Sequence, residues 1–331
     1  MRTPRPRTER NGGARSRDDP ADPPAALAAY AAPSGRPAPY ELLADRDDGT
    51  VVRCGGSVAK AHAEDTDRDG LAVRMRIASA RALSQVLLQP LRAEVGHVQG
   101  RPVSLWPYGA PVDPHRPEDA PWEPTARLLA ALHQVPLRRL PGPVPPMRGP
   151  AKVARALRRL AAAPDTGTRA EAGAVRAAAR TLPAWARGEA PAPAGGVLCH
   201  GDLHLGQLVR FPVPEGSWRL IDVDDLGVGA PAWDLARPAA WYAAGLVDAR
   251  TWLRFLDAYR DAGGPGAGPP GCDPWPELDL AARALTVQTA ALALAKAARE
   301  ERRLEDVERL MVDACVRIAT LPPHLEPASA S

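Results

Sequence analysis

Three side chains in the second half of the chain have the types and spacing that phosphoryl transfer needs. Asp202, within the segment HGDLHLGQ, is a carboxylate that could accept the proton of an attacking hydroxyl. Gln207 offers an amide oxygen five residues later, and Asp222, at the end of the strand-like run WRLIDVDD, offers a carboxylate oxygen. Both are hard oxygen ligands of the kind that Mg²⁺ binds. The set therefore predicts transfer of a phosphoryl group.

Other uses of these and neighbouring residues have to be weighed. His200 and His204 are four residues apart and could bind zinc, but a catalytic zinc site needs a third protein ligand, and the loop LHLGQ is unlike a helical HExxH pair. Asp224 and Asp225, taken alone, fit an ordinary turn or cap. The phosphoryl-transfer interpretation accounts for more of the residues at once.

The first third of the chain has the pattern of an antiparallel sheet with one helix. Asp48-Gly49 and Gly55-Gly56 are hairpin turn signals between short apolar runs. The predicted elements are strands at 40–45, 50–54 and 57–62, a helix at 71–93 and a strand at 101–108. Residues 1–35, rich in Pro and Arg, predict a disordered tail, and 323–331 a second one.

From about residue 115 the apolar residues recur with the helical period. The periodic segments are 122–135, 151–163, 169–187, 232–262 and 279–319. A stretch of strand character at 196–226 interrupts them and contains the motifs. The predicted class is α+β, with a small β lobe over 36–110 and a larger, mostly helical lobe over 111–322.

Charge, cysteine usage and hydropathy exclude several classes of function. The net charge of +3 is carried by residues 1–20, and the remaining charges balance, so with 5% aromatic residues no nucleic-acid partner is expected. The four cysteines form no CxxC pair, so neither a zinc site nor a disulfide framework is predicted. The apolar run 284–295 is too short to span a bilayer. A cytoplasmic protein without a membrane partner is expected.

HGDLHLGQ followed by IDVDDLGVGAPAWDLA (221–236) resembles the aminoglycoside phosphotransferase family of the protein-kinase-like fold. The resemblance implies a two-lobed fold with ATP and Mg²⁺ as cofactors. It implies that Asp202 is the catalytic base and Asp222 a metal ligand, with Asp224 as a weaker second position on the metal. It also implies structural roles for two residues that support the catalytic loop, His200 and Asp234.

The resemblance extends into the first lobe. Lys60 occupies the place of the strand lysine that contacts the ATP phosphates. Lysine is rare here, since only Lys60, Lys152 and Lys296 stand among 42 basic residues, which supports the assignment separately. The segment LWPY (105–108) would be the hinge that meets the adenine. His133, in a helix similar to the family's L-x-x-L-H-x-x-P helix, is expected to pack rather than react.

Three positions depart from the family pattern. Gln207 replaces the usual asparagine, although maltose kinases show a similar HGDxHxGQ loop. No acidic residue lies between Gly70 and Ala93 to pair with the strand lysine, which leaves Glu64 or Glu94 as candidates. The turn expected over the phosphates reads DRDDG (45–49) rather than glycine-rich.

The sequence thus predicts an ATP- and Mg²⁺-dependent phosphotransferase whose acceptor is a hydroxyl of a small molecule: an aminoglycoside, a sugar or a related natural product. The departures leave open a catalytically weak, nucleotide-binding pseudokinase with a regulatory role. A scaffold that docks on acidic partners through the basic tail is a third possibility. Trp233, Trp241 and Tyr242, at helical spacing, are expected in the core rather than as a sugar platform.

Overall fold

The computed structural model describes residues 22–32, 39–46, 49–164 and 169–321. The chain forms two compact units. The first comprises residues up to Thr66 together with Val95–Tyr108, and the second comprises Asp67–Glu94 and everything from Gly109 onward. The predicted α+β class is confirmed. The predicted lobe boundary near 110 differs by two residues, but 67–94 belongs to the second unit rather than to the β lobe.

The first unit is built on one antiparallel sheet with strand order β1-β2-β3-β5-β4. The strands are β1 Glu41–Arg46, β2 Gly49–Cys54, β3 Ser57–His62, β4 Gly96–Val98 and β5 Arg101–Pro107. Four of them lie where the alternating pattern predicts strands, and the Gly55-Gly56 turn joins β2 to β3. The three-residue β4 was too short to be recognised by its pattern.

A helix lies where the sequence predicted a disordered tail. Helix α1 spans Pro23–Ala31 and buries Leu27, Ala28 and Ala31 in the core of the first unit, together with Val52 and Val103. That part of the tail prediction is wrong. Proline at the first helical position suits a helix start, and the alanine-rich face packs closely on the sheet. Residues 1–21 and 322–331 fall outside the described residues.

The second unit is mostly helical. Its helices are α2 Arg68–Ala78, α3 Trp122–His133, α4 Gly149–Ala162, α5 Arg169–Arg180, α6 Ala232–Ala244, α7 Ala249–Asp261, α8 Trp275–Arg299 and α9 Asp306–Ile318. Its strands are β6 Ala110–Pro111, β7 Val197–Cys199, β8 Leu208–Phe211, β9 Ser217–Leu220 and β10 Gly227–Gly229. The strands form a β6-β8-β9 sheet and a β7-β10 pair, close to the stretch predicted at 196–226.

The helix predicted over 71–93 ends at Ala78. The apolar residues beyond it serve a different purpose, because Val86 and Leu88 form backbone hydrogen bonds with Leu220 of β9. The backbone N–H of Leu220 donates to the Val86 carbonyl and its carbonyl accepts from the Leu88 N–H, both at 2.9 Å. The apolar residues after Ala78 keep the helical spacing, but their segment is not helical. It pairs with the edge of β9 instead.

Two further helical predictions each contain two helices. Gly245, with φ of 81°, ends α6, and the Asp248 side chain accepts from the Thr251 N–H to begin α7. A capping box formed by Glu305 and Glu308 begins α9. Helix α8 packs against α4, α5, α6 and α9.

Length and composition would let α8 cross a membrane, with a mean hydropathy of 1.3, but 67% of its most apolar window is buried inside the protein. Burial of that kind is what a core helix of a helical unit shows.

Of the three aromatic residues expected in the core, one is buried and two are half-buried. Trp233 is buried as expected. Tyr242 is half-buried and stacks on Trp252, with ring centroids 5.5 Å apart and planes at 11°. Trp241 is also half-buried and lines a small cavity next to residues 203–205.

Candidate active site

The loop that contains Asp202 is held close to the turn after Asp222. It follows β7, which pairs antiparallel with β10 on the far side of that turn. Gly201 has a φ of 84°, and a Cβ atom at this position would lie 2.3 Å from the Asp225 carbonyl oxygen. A glycine is required here because any side chain would push the two loops apart.

The buried carboxylate of Asp234 fixes the start of the catalytic loop. Its Oδ2 accepts from the backbone N–H of His200 at 2.6 Å, and its Oδ1 accepts from that of Gly201 at 2.8 Å. Burial alone would raise the pKa of Asp234, but the hydrogen bond from His133 lowers it below its usual value. The carboxylate therefore stays ionised and ties the first turn of α6 to the loop.

His133 orients that carboxylate. Its Nε2 lies 3.0 Å from Asp234 Oδ2 and its Nδ1 lies 2.8 Å from the Tyr259 hydroxyl, which accepts from the Gly266 N–H at 2.9 Å. The network assigns the Nε2 proton to the bond with Asp234 and has Tyr259 donate to Nδ1. His133 was expected to pack rather than react, and both of its ring nitrogens are hydrogen-bonded in this buried network.

The next contact joins the catalytic loop to the strand-like segment before Asp222. His200 is fully buried, and its Nε2 donates to the Ile221 carbonyl oxygen at 2.8 Å. The Ile221 N–H in turn donates to the Gln207 carbonyl oxygen at 2.9 Å. These two bonds hold Gln207 and Asp222 next to each other.

The side chains of Gln207 and Asp222, the two predicted metal ligands, lie next to each other. The Gln207 amide nitrogen lies 3.3 Å from Asp222 Oδ2, and the Asp224 N–H lies 3.4 Å from Asp222 Oδ1. Turning the Gln207 amide over would place two hard oxygens side by side, which fits Mg²⁺. Asp222 has a φ of 65°, a conformation that Asp adopts more readily than most residues.

The carboxylate of Asp202 is held between two cations. Its Oδ2 lies 2.7 Å from Lys152 Nζ and its Oδ1 lies 2.8 Å from the Arg237 guanidinium. Burial would raise the pKa of Asp202, but the charges of Lys152 and Arg237 lower it to about 2. Asp202 is therefore ionised at neutral pH and available to accept a hydrogen bond.

Both histidines of the loop form hydrogen bonds within the protein. His204 Nδ1 accepts from the Gly206 N–H at 3.1 Å, and burial with the nearby Arg237 charge lowers the pKa of His204 to about 4. Among the described residues, His133, Cys199 and Asp234 do have ligand atoms within 4.8 Å of one another. The His133 and Asp234 atoms are already hydrogen-bonded to each other, so this cluster supports the loop.

Lys60 lies in the first unit, on the central strand β3 of the sheet, opposite Val51 of β2 and Ser104 of β5. In the turn expected over the phosphates, residues 47 and 48 fall outside the described residues. Asp45 is described, and its Oδ1 accepts from the Thr50 hydroxyl at 3.0 Å.

Comparison with known proteins assigns the chain to a family. The model of the phosphotransferase enzyme family matches residues 52–275. The chain belongs to this family. The membership supports a small-molecule phosphotransferase. No curated protein matches the chain.

Solved structures of this phosphotransferase family's fold agree with the architecture. A spectinomycin phosphotransferase in complex with ADP and spectinomycin is 13% identical, with a TM-score of 0.55 over 85% of this chain and 92% of that one. A thermostable mutant of an aminoglycoside phosphotransferase is 14% identical, with a TM-score of 0.56 over 85% and 94%. A choline/ethanolamine kinase family protein from Mesorhizobium loti is 20% identical, with a TM-score of 0.52 over 88% and 90%. These likenesses confirm the protein-kinase-like fold.

Sequence reasoning missed two cations that contact Asp202, Lys152 on α4 and Arg237 on α6. Lys152 also lies 2.8 Å from Asp225 Oδ2, so one ammonium bridges two carboxylates. The rarity of lysine, which supported the assignment of Lys60, was a signal for Lys152 as well. Arg237 follows the DLA segment directly and could have been listed with it. Asp225 is thus an ion-pair partner and not only a turn residue.

Proposed function

We propose that this phosphotransferase moves the γ-phosphate of ATP, with Mg²⁺, to a hydroxyl of a small molecule such as an aminoglycoside, a sugar or a related natural product. One observation carries the proposal: the catalytic-loop carboxylate Asp202 is ionised, while the same loop brings Gln207 within 3.3 Å of Asp222. A hydroxyl acceptor and a metal-bound nucleotide need those two features.

The roles of the residues follow from their chemistry. Asp202 would accept a hydrogen bond from the acceptor hydroxyl and orient it, and would take its proton late, since a carboxylate with a pKa of about 2 is a weak base. A dissociative phosphoryl transfer needs little early proton removal, so positioning dominates. Gln207 and Asp222, with Asp224 in a lesser role, would hold Mg²⁺, which neutralises phosphate charge when bound. Lys60 is proposed to contact the ATP phosphates.

The test compares two neutralised aspartates. Asp202→Asn should lower turnover by about 10²–10⁴ while leaving nucleotide affinity largely unchanged, because the carboxylate acts on the acceptor. Asp257→Asn, on the exposed side of α7, makes the same chemical change away from the site and should retain full activity. Phosphate transfer and calorimetric ATP binding would be measured for both. Unchanged turnover in Asp202→Asn would remove the proposed base.

A catalytically weak pseudokinase is the second candidate, and one observation favours it. Helix α2 carries Asp69 in its first turn and no acidic residue after it, unlike the family pattern in which this helix presents a glutamate. ATP binding without phosphate transfer to any of a panel of sugars, polyols and aminoglycosides would favour this candidate.

We also propose a cytoplasmic location, where ATP and Mg²⁺ are supplied. The four cysteines, Cys54, Cys199, Cys272 and Cys315, are all free thiols, as suits a reducing compartment.

A further inference from the structure

The charges around Asp202 carry information about the acceptor. Asp202 and Asp225 are two carboxylates, and three cations contact them: Lys152 contacts both, Arg237 contacts Asp202 at 2.8 Å, and Arg148 lies 3.7 Å from Asp225. These five side chains together therefore carry one more positive than negative charge. Lys152, Arg237 and both carboxylates are only 14–25% exposed, so water screens these charges less than it would at the surface.

A small cavity borders the loop on the α6 side. Its volume is about 10 Å³, room for about one water molecule. Trp122, Leu203, His204, Arg237 and Trp241 are among its lining residues, and none of the lining residues is a carboxylate. Because His204 has a pKa lowered to about 4, the charge at this cavity comes from Arg237 alone.

A larger cavity borders the first turns of α4, the helix that contributes Lys152. Its volume is about 300 Å³, and Met147, Pro150, Ala154, Arg158 and Trp185 lie among its walls. Its lining again includes no carboxylate, and Arg158 is its one charged residue. An apolar surface with an aromatic ring and a guanidinium suits an uncharged or anionic group.

Two carboxylates on the neighbouring helices are already paired. Glu123, next to Trp122 on α3, forms an ion pair with Arg254 of α7. Asp279 on α8 lies 2.8 Å from Arg283 one turn later. Asp222 and Asp224 belong to the proposed metal position. A ligand with several ammonium groups would have to take carboxylates away from these existing partners.

Electrostatics makes the cost of a cationic acceptor large. Like charges repel more strongly at a partly buried site than in water, because the effective dielectric constant falls from about 80 to about 20. Lys152 and Arg237 are paired with carboxylates, so the repulsion that a polycation meets comes from the one positive charge in excess among these five side chains. A neutral hydroxyl compound avoids it, and an anion gains from it.

We propose that the acceptor is a neutral or anionic hydroxyl compound, such as a sugar or a sugar acid, and not a polycation such as an aminoglycoside. This inference rests on the proposed function, since it concerns the hydroxyl acceptor of the same site. Among the hydroxyl compounds proposed above, it selects those that the cations around Asp202 do not repel.

The experiment uses three probes that differ in charge: maltose, glucuronate and kanamycin. Binding to the full chain, measured by calorimetry in the presence of Mg²⁺ and a nonhydrolysable ATP analogue, gives the order of affinity independently of turnover. Phosphate transfer to each probe is measured in parallel. We expect maltose or glucuronate to bind at least about tenfold more tightly than kanamycin, with kanamycin neither phosphorylated nor competitive.

Two outcomes overturn the inference: kanamycin binding as well as or better than the other probes, and no binding by any of the three. If the neutral or anionic probe binds in the expected order but no phosphate is transferred, the charge preference stands and the proposed transfer fails instead. The two claims are therefore tested separately.

A charge reversal at Arg158 tests whether this residue contributes to the binding of an anionic acceptor. Arg158→Glu should weaken glucuronate binding by about tenfold and leave maltose binding unchanged, because only the anion interacts with the guanidinium. Arg159→Glu is the matched control, since Arg159 is exposed on the same helix and does not line the cavity. Equal effects of the two variants on glucuronate would show that the cavity lined by Arg158 does not bind the anion.

Discussion

At the scale of single residues, Asp202 shows how two basic side chains set the properties of a carboxylate. Lys152 and Arg237 are contributed by different helices, α4 and α6, and reach different oxygens of the same group. Their combined charge outweighs the effect of burial and keeps the pKa of Asp202 near 2. Asp202 is therefore ionised at neutral pH.

Removing Lys152 should shift the acid limb of the pH profile. A carboxylate with a depressed pKa is active above that pKa and loses its role as pH falls through it, so in the native protein Asp202 remains ionised down to about pH 2. In Lys152→Met the pKa of Asp202 should rise, because burial remains while one compensating charge is lost. The activity of this variant should then fall at a higher pH than that of the native protein.

The pH dependence of kcat/KM measures this shift. Lys296→Met, which removes an exposed lysine of α8, is the control and should show the native profile. Coincident profiles for the native protein and Lys152→Met would contradict the ion-pair account.

Alanine substitutions at two glycines compare a position where the backbone requires glycine with one where alanine fits. Gly201→Ala should lower turnover strongly and destabilise the fold, because its Cβ would lie 2.3 Å from a backbone oxygen at a φ of 84°. Gly173→Ala, inside α5 with nothing within 4 Å, should stabilise the protein by about 0.5–1 kcal/mol. Thermal unfolding and turnover would be measured for both. Full activity in Gly201→Ala would show that the loop can move away from Asp225.

The residue types at the center of the site could be predicted from the sequence, since Asp202, Gln207 and Asp222 lie in one short motif. Lys152 could not be assigned to them, because it lies 50 residues before Asp202 and only folding brings α4 to the loop. Its rarity marked it as unusual but gave no partner. Ion pairs between distant segments leave no spacing signal in a single sequence.

At the scale of elements, the catalytic loop depends on three helices. The first turn of α6 supplies Asp234, α3 supplies His133 and α7 supplies Tyr259, which together hold the backbone of residues 200 and 201. Neither residue in α3 or α7 touches the loop itself. The loop is thus positioned through a chain of buried hydrogen bonds.

Substitutions in this series of hydrogen bonds should lower the free energy of unfolding by different amounts. Asp234→Ala leaves two buried loop N–H groups and His133 without an acceptor and should destabilise the protein by about 3–5 kcal/mol. Tyr259→Phe removes one hydroxyl and leaves His133 Nδ1 and the Gly266 N–H unpaired, which should cost about 1–3 kcal/mol. Urea denaturation gives both values. A larger loss for Tyr259→Phe would show that Asp234 is not the principal support.

Helix α1 should contribute to the stability of the first unit, although its alanine- and proline-rich composition resembles that of a linker. Leu27→Ala should destabilise the protein by about 2–5 kcal/mol, because Leu27 is 1% exposed in the core of that unit. Leu42→Ala makes the same change on β1, where Leu42 is 48% exposed, and should cost under about 0.5 kcal/mol. Chemical denaturation of the two variants checks the difference. Equal costs would mean that α1 is not part of the core.

The elements that the sequence failed to predict share one physical reason. Helix α1 has no clear amphipathic pattern, because alanine and proline supply most of its residues. The segment after Ala78 keeps a helical spacing of apolar residues but attaches to β9 instead. In both places the outcome was decided by tertiary packing, which local periodicity does not encode.

At the scale of the whole molecule, the α+β class was predictable because the spacing of apolar residues changes from alternating to helical near residue 115. The assignment of 67–94 to the second unit was not predictable, since contacts of that segment with Leu220 and with residues 146 and 226 connect parts of the chain that are far apart. The types of secondary structure could therefore be predicted from the sequence, whereas the unit to which the segment 67–94 belongs could not.

Nucleotide binding should stabilise the whole chain only when metal is present. A nonhydrolysable ATP analogue at about 100 times its dissociation constant should add about 2.7 kcal/mol to the free energy of unfolding. Removing Mg²⁺ with a chelator should abolish most of that gain, because the carboxylates at Asp222 and Asp224 would otherwise face the phosphates. The melting temperature with and without chelator measures it. Full stabilisation without metal would contradict the proposed metal role.

The bridge formed by Lys152 also constrains how this site can change by mutation. One ammonium serves two carboxylates, so losing it leaves Asp202 with Arg237 and Asp225 with the more distant Arg148. Replacing Asp225 first leaves Lys152 with Asp202 as a simple pair, so that a later change of the lysine affects one carboxylate instead of two. A laboratory selection for acceptors of the opposite charge should therefore fix these substitutions in that order, and a library that varies Lys152 alone should yield clones whose activity falls at a higher pH, as in Lys152→Met.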